Sequence, residues 1–371
     1  MRKILLSFIF LVTTIHSMNA VYVEYAIDSL SHHEYISKNA DTKIQPASLT
    51  KLLTTYIIFD YIAKGKLSLT SEVTISKYSF TKGNSTTGSS TMFLEANDKV
   101  TLDQLIKGII VVSGNDACIA AAEYIAGNET DFSILMNKYA KNMGLRHSHF
   151  VNSTGWPNKN HYSTAKDLLI LTQRLFDDFP QFRYYFTIPS FKYNNIKQYN
   201  RNSLVKDKSI KAIGFKTGHI AKEGYSIIFG YMKKNIITYG IIANASKASE
   251  RIQKSYNMMR KINNNQKITT LYKKNSNLVD INVINSNISK YQLKINYDIY
   301  NINDRYIVKL QYKDNIIAPL PKNSYIGDIL WIDKNTNQIV NQKKIYTNIN
   351  IEYSLLSTIM KFPYNYIKSK V

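Results

Sequence analysis

The hydrophobic period of this chain changes near residue 263, and that change limits the folds open to it. Before it, apolar residues recur at helical spacing, as at Leu102, Leu105, Ile106, Ile109 and Ile110. Pro46 opens a long apolar run, Leu49 to Ile62, of helical length. Thr164 and Asp167 make a capping-box pattern ahead of Leu168, Leu169, Leu171 and Leu175. Val21 to Ile27 alternates in short strand fashion, and Ala212–Phe215, Tyr225–Met232 and Ile236–Ala243 read as strands of one sheet. Asn263-Asn264-Asn265-Gln266 reads as a linker after a helix holding Arg251 to Arg260. Beyond it alternation takes over, first at Tyr291, Leu293, Ile295, Tyr297 and Ile299, then at Tyr306, Val308, Leu310 and Tyr312. The expectation is a helical and sheet-bearing first domain, then a small antiparallel β domain.

The two ends carry their own patterns. Arg2 and Lys3 precede a mostly apolar Ile4 to Ile15, shorter than the roughly 20 residues a spanning helix needs. This reads as a secretory signal with cleavage after Ala20; an uncleaved anchor is the alternative. At the other end Ile351, Leu355, Leu356, Ile359, Met360 and Phe362 keep helical spacing beside Lys361, Lys368 and Lys370. Such a segment lies in a membrane interface or packs on its own domain. The expected organisation is a signal peptide over 1–20, a first domain over 21–262, a β domain over 263–350 and an amphipathic membrane-associating segment over 351–371.

With 371 residues, 44% of them hydrophobic, the chain can bury more than one core. The balance of 48 Lys and Arg against 26 Asp and Glu gives +22. Two readings stand: drift of composition toward Lys, Asn, Ile and Tyr, or a basic surface that keeps the protein near anionic lipid. No nucleic-acid motif is present, and the lysines are interleaved along the chain. The single cysteine, Cys118, excludes an intrachain disulfide framework and reads as a small core residue. His147 and His149 lack an evident third ligand for a metal site, and no cofactor is implied.

Three short segments carry the chemistry: Ser48-Leu49-Thr50-Lys51, Ser113-Gly114-Asn115 and Lys216-Thr217-Gly218. Each alone is ordinary, since a Ser-x-x-Lys usually marks a helix surface. Here, however, Lys51 lies within an apolar run. Ser48 and Lys51 fall one helical turn apart, so a nucleophile and a base share a face. Lys51 acts as a base only when neutral, and burial or a second cation such as Lys216 lowers its pKa. A turn at Gly114 and Asn115 pushes Ser113 and Asn115 into a cleft. Gly218 removes a side chain where an extended peptide would lie along a strand edge.

Together the segments resemble the penicillin-binding proteins and serine β-lactamases, and the flanking text resembles the low-molecular-mass D-alanyl-D-alanine carboxypeptidases. That text includes Pro46-Ala47-Ser48-Leu49-Thr50-Lys51-Leu52, Met92-Phe93-Leu94-Glu95, His149-Phe150-Val151-Asn152, His161-Tyr162-Ser163-Thr164-Ala165-Lys166-Asp167, Asn200-Arg201-Asn202 and Gly214-Phe215-Lys216-Thr217-Gly218-His219. Ile317-Ala318-Pro319-Leu320 with Gly327 weakly resembles the family's second β domain. The resemblance implies an α/β (α+β) DD-peptidase/β-lactamase-like catalytic domain, an antiparallel sheet with a helical cluster, then a small all-β domain and an amphipathic end. It implies Ser48, Lys51 and Ser113 as catalytic residues and Asn115, Lys216, Thr217, Gly218, His219 and Arg251 as substrate-binding ones. Backbone N–H groups of Ser48 and His219 would form the oxyanion hole. Asn244, Ala245 and Ser246 replace a usual glycine-rich turn near Arg251, and Tyr199 stands where proline is common.

The implied activity is removal of the terminal D-alanine from a peptidoglycan stem pentapeptide in the periplasm, at the outer face of the inner membrane. β-Lactams are the implied covalent inhibitors, and the anionic membrane surface is a further implied partner. A peptidoglycan endopeptidase and a non-catalytic wall-binding protein remain alternatives. A class A β-lactamase would need a Glu-x-x-Leu-Asn segment, which the chain lacks, and a Gly-x-Ser-x-Gly hydrolase motif is also absent.

Overall fold

The structure is a computed structural model, and it describes residues 20–84 and 90–355. Pro46 caps a 3₁₀ turn, Ala47–Thr50, that passes directly into helix α1 (Lys51–Ala63). Every residue from Lys51 to Phe59 is buried, so α1 is enclosed on all sides rather than half-wet. Around it lie α2 (Lys77–Gly83), α3 (Leu102–Lys107), α4 (Asn115–Ala126), α5 (Glu129–Met143) and α6 (Ala165–Asp178).

The helix starts follow elementary capping. Thr101 and Gln104 close a reciprocal capping box on α3, and Thr164 accepts from the Asp167 N–H at the start of α6. The Asp167 carboxylate does not reciprocate. It accepts instead from the His147 N–H at 2.8 Å and the Ser148 hydroxyl at 2.7 Å, tying the α5–α6 loop down. The apolar repeat through Ile110 outruns α3: a π turn, Gly108–Val112, follows and ends on Ser113 in the left-handed conformation. Cys118 is buried on α4, as a core residue should be.

Two short ribbons pair β3 (Glu72–Thr74) with β4 (Lys99–Thr101), and β5 (Ser190–Tyr193) with β6 (Ile196–Tyr199). The main sheet adds β1 (Val23–Asp28), β2 (Glu34–Lys38), β7 (Ala212–Ile220), β8 (Gly224–Lys233) and β9 (Ile236–Ala245) in the order β2-β1-β9-β8-β7. Lys234 and Asn235, both at positive φ, make the two-residue turn that joins β8 to β9. All ten residues of β9 are buried at the centre, while β7 lies at an edge.

The chain forms two compact units. Among the described residues, those up to Tyr25 with Ser37–Phe229 and Gly240–Lys254 make one; Ala26–Ile36, Gly230–Tyr239 and those from Ser255 onward make the other. Helix α7 (Ala248–Asn265) continues through three of the four residues read as a linker, because Asn and Gln do not by themselves end a helix. In the second unit β10 (Ile268–Tyr272) pairs with β13 (Ile299–Ile302), and β14 (Tyr306–Tyr312) and β17 (Ile339–Tyr346) flank β16 (Tyr325–Asp333), all antiparallel. β11 (Asn277–Ile284) pairs antiparallel with β12 (Lys290–Lys294) but parallel with β15 (Asn315–Ile317), so the second unit is not purely antiparallel as expected. The reason is the long connection from β11 to β15, which lets the later strand return in the same direction. Trp331 anchors this core, its indole N–H donating to the Tyr300 carbonyl at 2.9 Å.

The signal read over 1–20 lies outside the described residues except for Ala20, and the amphipathic end read over 351–371 lies outside them beyond Leu355. Among the described residues no helix is long and apolar enough to cross a membrane, and no cluster of ligands fit for a metal is found.

Candidate active site

Ser48 stands in the 3₁₀ turn, and the residue before it is held in an uncommon backbone state. Ala47 has φ of 49°, a left-handed conformation that costs a non-glycine residue on the order of 1 kcal/mol. Two glycines allow neighbouring segments to close on this turn. Gly155 has φ of +85°, and a Cβ there would fall 1.7 Å from the Ala47 carbonyl oxygen. At Gly218 on β7 a Cβ would lie 3.2 Å from both the Ala47 Cβ and the Pro46 oxygen. The Ser48 turn is thus seated between a loop and the edge strand.

Lys51 is fully buried, and its Nζ has three oxygen neighbours: Ser48 Oγ at 3.0 Å, Asn115 Oδ1 at 2.6 Å and the Thr154 carbonyl at 2.7 Å. An ammonium group can donate to all three. A neutral amine has two N–H bonds and one lone pair. The Asn115 and Thr154 oxygens only accept, so they take the two N–H bonds, and the lone pair is left to the Ser48 hydroxyl. Burial pushes the Lys51 pKa down to about 8, against partial restoration by Cys118 and Asp116. Lys216 is buried as well, with Nζ donating to the Thr217 carbonyl at 3.2 Å. Its pKa is pushed well down, by burial first and then by the charge of Lys51. Two amines near one another in a dry interior each disfavour the other's proton.

A cavity of about 430 Å³ opens over this pair. Ser48, Ser113, Asn115, Thr217, Gly218, His219 and Arg251 line it, while Lys51 and Lys216 are buried. The structure therefore gathers in one place all nine residues singled out in the sequence. Ser113 is positioned by its left-handed backbone, φ 66°, between the π turn and α4. Arg251 turns part of its guanidinium to the backbone: Nη1 donates to the carbonyls of Gly218 at 3.1 Å and Ser226 at 3.2 Å. His219 stacks on Tyr225 with ring centroids 4.1 Å apart and planes 19° apart. Burial and the nearby Arg251 lower the His219 pKa.

Several residues that hold the site were not singled out by sequence. Asn152 folds the 152–156 loop: its Oδ1 accepts from the N–H groups of Gly155 at 2.7 Å and Trp156 at 3.1 Å, which brings the Thr154 carbonyl to Lys51. Glu129, at the start of α5, accepts from the Ser153 hydroxyl at 2.6 Å, and the Ser153 carbonyl accepts from Thr54 of α1 at 2.7 Å. His161 is buried, and its Nδ1 accepts from the Val151 N–H at 3.2 Å, so the proton lies on Nε2 and points to Thr50 Oγ1 at 2.8 Å. Burial drives its pKa down to about 4, which keeps the ring neutral. Asp116 accepts from Thr91 Oγ1 and from the N–H groups of Met92, Leu94 and Ala117, fixing the 91–94 segment against α4. Asn152 and His161 lay inside stretches that carried the family resemblance, and Asp116 directly follows the Ser113-Gly114-Asn115 segment, but their roles depend on folded neighbours. Trp156, Arg201 and Tyr225 also line the cavity.

Comparison with known proteins agrees with this arrangement. The sequence profile of the D-alanyl-D-alanine carboxypeptidase family matches residues 12–247, and the chain belongs to that family. It is 40% identical over 190 residues to the D-alanyl-D-alanine carboxypeptidase DacA of Haemophilus influenzae, covering 51% of this chain and 48% of that one. It is 30% identical over 304 residues to DacF of Bacillus subtilis, covering 79% and 77%. The chain spans about half the length of the Haemophilus relative and of DacA from Escherichia coli. Among solved structures, penicillin binding protein 5 from Haemophilus influenzae is similar at a TM-score of 0.69 and 27% identity, over 90% of this chain and 98% of that one. Penicillin binding protein 6B from Escherichia coli is similar at a TM-score of 0.67 and 25% identity, over 88% of this chain and 96% of that one, and the mixed α/β fold with a following β unit is shared with both structures.

Proposed function

We propose that this chain is a serine-type D-alanyl-D-alanine carboxypeptidase that removes the terminal D-alanine from peptidoglycan stem pentapeptides. One observation carries the reading: a buried Lys51 Nζ that meets two carbonyl acceptors and the Ser48 hydroxyl, so that in its neutral form the lone pair is left for Ser48. In this reading Ser48 Oγ attacks the carbonyl carbon of the penultimate D-alanine while its proton passes to Lys51 Nζ. The backbone N–H groups of Ser48 and His219 receive the oxyanion. Collapse breaks the C–N bond, and D-alanine leaves with a proton relayed from Lys51 through Ser113. Water then hydrolyses the ester on Ser48.

The substrate lies along the open edge of β7, next to Gly218. Its free carboxylate meets Lys216 and Thr217, with Arg251 behind them. Asn115 presents its amide to the peptide bond and fixes Lys51 at the same time. β-Lactams offer a strained amide of the same shape and acylate Ser48. The export signal, the catalytic segment over 21–262, the β segment over 263–350 and the basic amphipathic end together fit a periplasmic enzyme held peripherally at the outer face of the cytoplasmic membrane.

The test is D-alanine release from a pentapeptide ending in D-Ala–D-Ala, by the chain beside its Ser48→Ala variant. Release that disappears in the variant is the expected result. Release that survives in the variant removes Ser48 as nucleophile, and release by neither removes the carboxypeptidase reading.

A further inference from the structure

The second unit holds a recess that the Ser48 chemistry does not use. Its volume is about 660 Å³, larger than the 430 Å³ over Ser48. Lys294 of β12, Lys322 of the loop before β16, and Lys344 of β17 line it, together with Tyr297 and Tyr346. All three lysines are exposed, and none makes an ion pair among the described residues. No carboxylate lines the recess among those residues. A fourth cation stands close by, Lys343 Nζ lying 3.5 Å from the centroid of the Tyr297 ring. The remaining lining is rich in asparagine, and Asn348 is held by the Tyr291 hydroxyl, which donates to its Oδ1 at 2.8 Å.

Each component selects part of a ligand. Lysine ammonium groups are point charges that attract carboxylates or phosphates. Asparagine amides both donate and accept, which matches hydroxyls and N-acetyl groups. Tyrosine rings offer an apolar face with a polar tip, which suits the C–H faces of a sugar ring. The shape selects further. A recess of about 660 Å³ has room for a discrete unit of small-ligand size.

We propose that this recess is a binding site for an acidic amino-sugar oligosaccharide, with carboxylates taken by Lys294, Lys322 and Lys344 and sugar faces by Tyr297 and Tyr346. The site would hold a glycan strand independently of the Ser48 reaction, and it stands or falls apart from that reading.

The experiment is calorimetric titration of the full chain with a tetrasaccharide of alternating N-acetylglucosamine and N-acetylmuramic acid, whose lactyl carboxylates are free. Chitotetraose, the neutral counterpart, and phosphatidylglycerol vesicles are the comparison probes. Replacing Lys294, Lys322 and Lys344 by Gln should weaken binding of the acidic tetrasaccharide at least tenfold. A second triple variant, Lys138→Gln, Lys141→Gln and Lys309→Gln, removes the same charge from exposed lysines elsewhere and should stay within about twofold of the parent. The three single replacements at the recess, each expected to weaken binding about threefold, give the same reading if the triple variant fails to fold. Equal loss in both triple variants would reduce the effect to bulk charge and overturn the proposal. So would equal affinity for chitotetraose, absence of binding, or a loss confined to the vesicles.

Discussion

Lysine does opposite work in the two units. In the first, Lys51 and Lys216 are sealed from water, and burial pushes both toward the neutral amine. In the second, Lys294, Lys322 and Lys344 stand exposed to water around a recess. The side chain is the same in both places. What differs is whether the fold withdraws water, because the cost of desolvating a charge is what turns a cation into a base. A basic chain of +22 therefore contains few lysines able to take a proton from serine.

The largest effect should come from making the buried Lys51 a permanent cation. Lys51→Arg keeps the donors but removes the accessible neutral form, and D-alanine release should fall on the order of a thousandfold. A loss under tenfold would mean that Lys51 is not the base. Acid should next strike the packing behind the site. His161 has a folded pKa of about 4, below the ordinary 6.5, so between those values the unfolded chain binds the extra proton. Stability is then fully present above about pH 6.5 and falls as pH drops toward 4, by on the order of 3 kcal/mol. Denaturant melts across that range measure it, and His161→Gln should flatten that part of the slope.

The rate should follow the Lys51 proton in the same sense. Because the neutral amine is the active form, kcat/KM should rise about tenfold per pH unit up to about 8 and then level. A profile flat from pH 6 to 9 would contradict a buried base. Asp116→Asn should cost about 2 kcal/mol in thermal melts, since an amide cannot accept from all the N–H and hydroxyl donors that the carboxylate now serves. The smallest effect belongs to the exposed lysines. The Lys294, Lys322 and Lys344 to Gln triple variant should turn over a short soluble pentapeptide within twofold of the parent, and a large loss there would erase the contrast between the two regions.

The comparison also shows where sequence reading stops. Ser48, Lys51 and their flanking text were legible because the chemistry needs a nucleophile and a base one helical turn apart, and that spacing is written along the chain. Ser113, Asn115, Lys216, Thr217 and Gly218 were named from such local words, while His219 and Arg251 came only from the family resemblance; in the fold seven of the nine line one cavity, and Lys51 and Lys216 are buried. The Thr154 carbonyl was not legible, because every residue carries a carbonyl and only the Asn152 turn selects this one. His161 was visible as a letter but not as the neutral support of Thr50, since its tautomer follows from the Val151 N–H that meets it. The linker read at Asn263–Gln266 failed because polar composition resembles both a loop and the wet face of α7. The alternation from Tyr291 to Ile299 likewise joins two separate strands, β12 and β13.

The sequence by itself determined the reactive groups, the change from helical to alternating period, and membership of the carboxypeptidase family. It could do so because those properties depend on residue type at short spacing. Only the tertiary structure decided that Lys51 meets two fixed acceptors and one hydroxyl, that Ala47 is held left-handed beside Gly155, and that three distant lysines line one recess. Those features depend on which segments exclude water from one another, and water exclusion is a property of the packed chain.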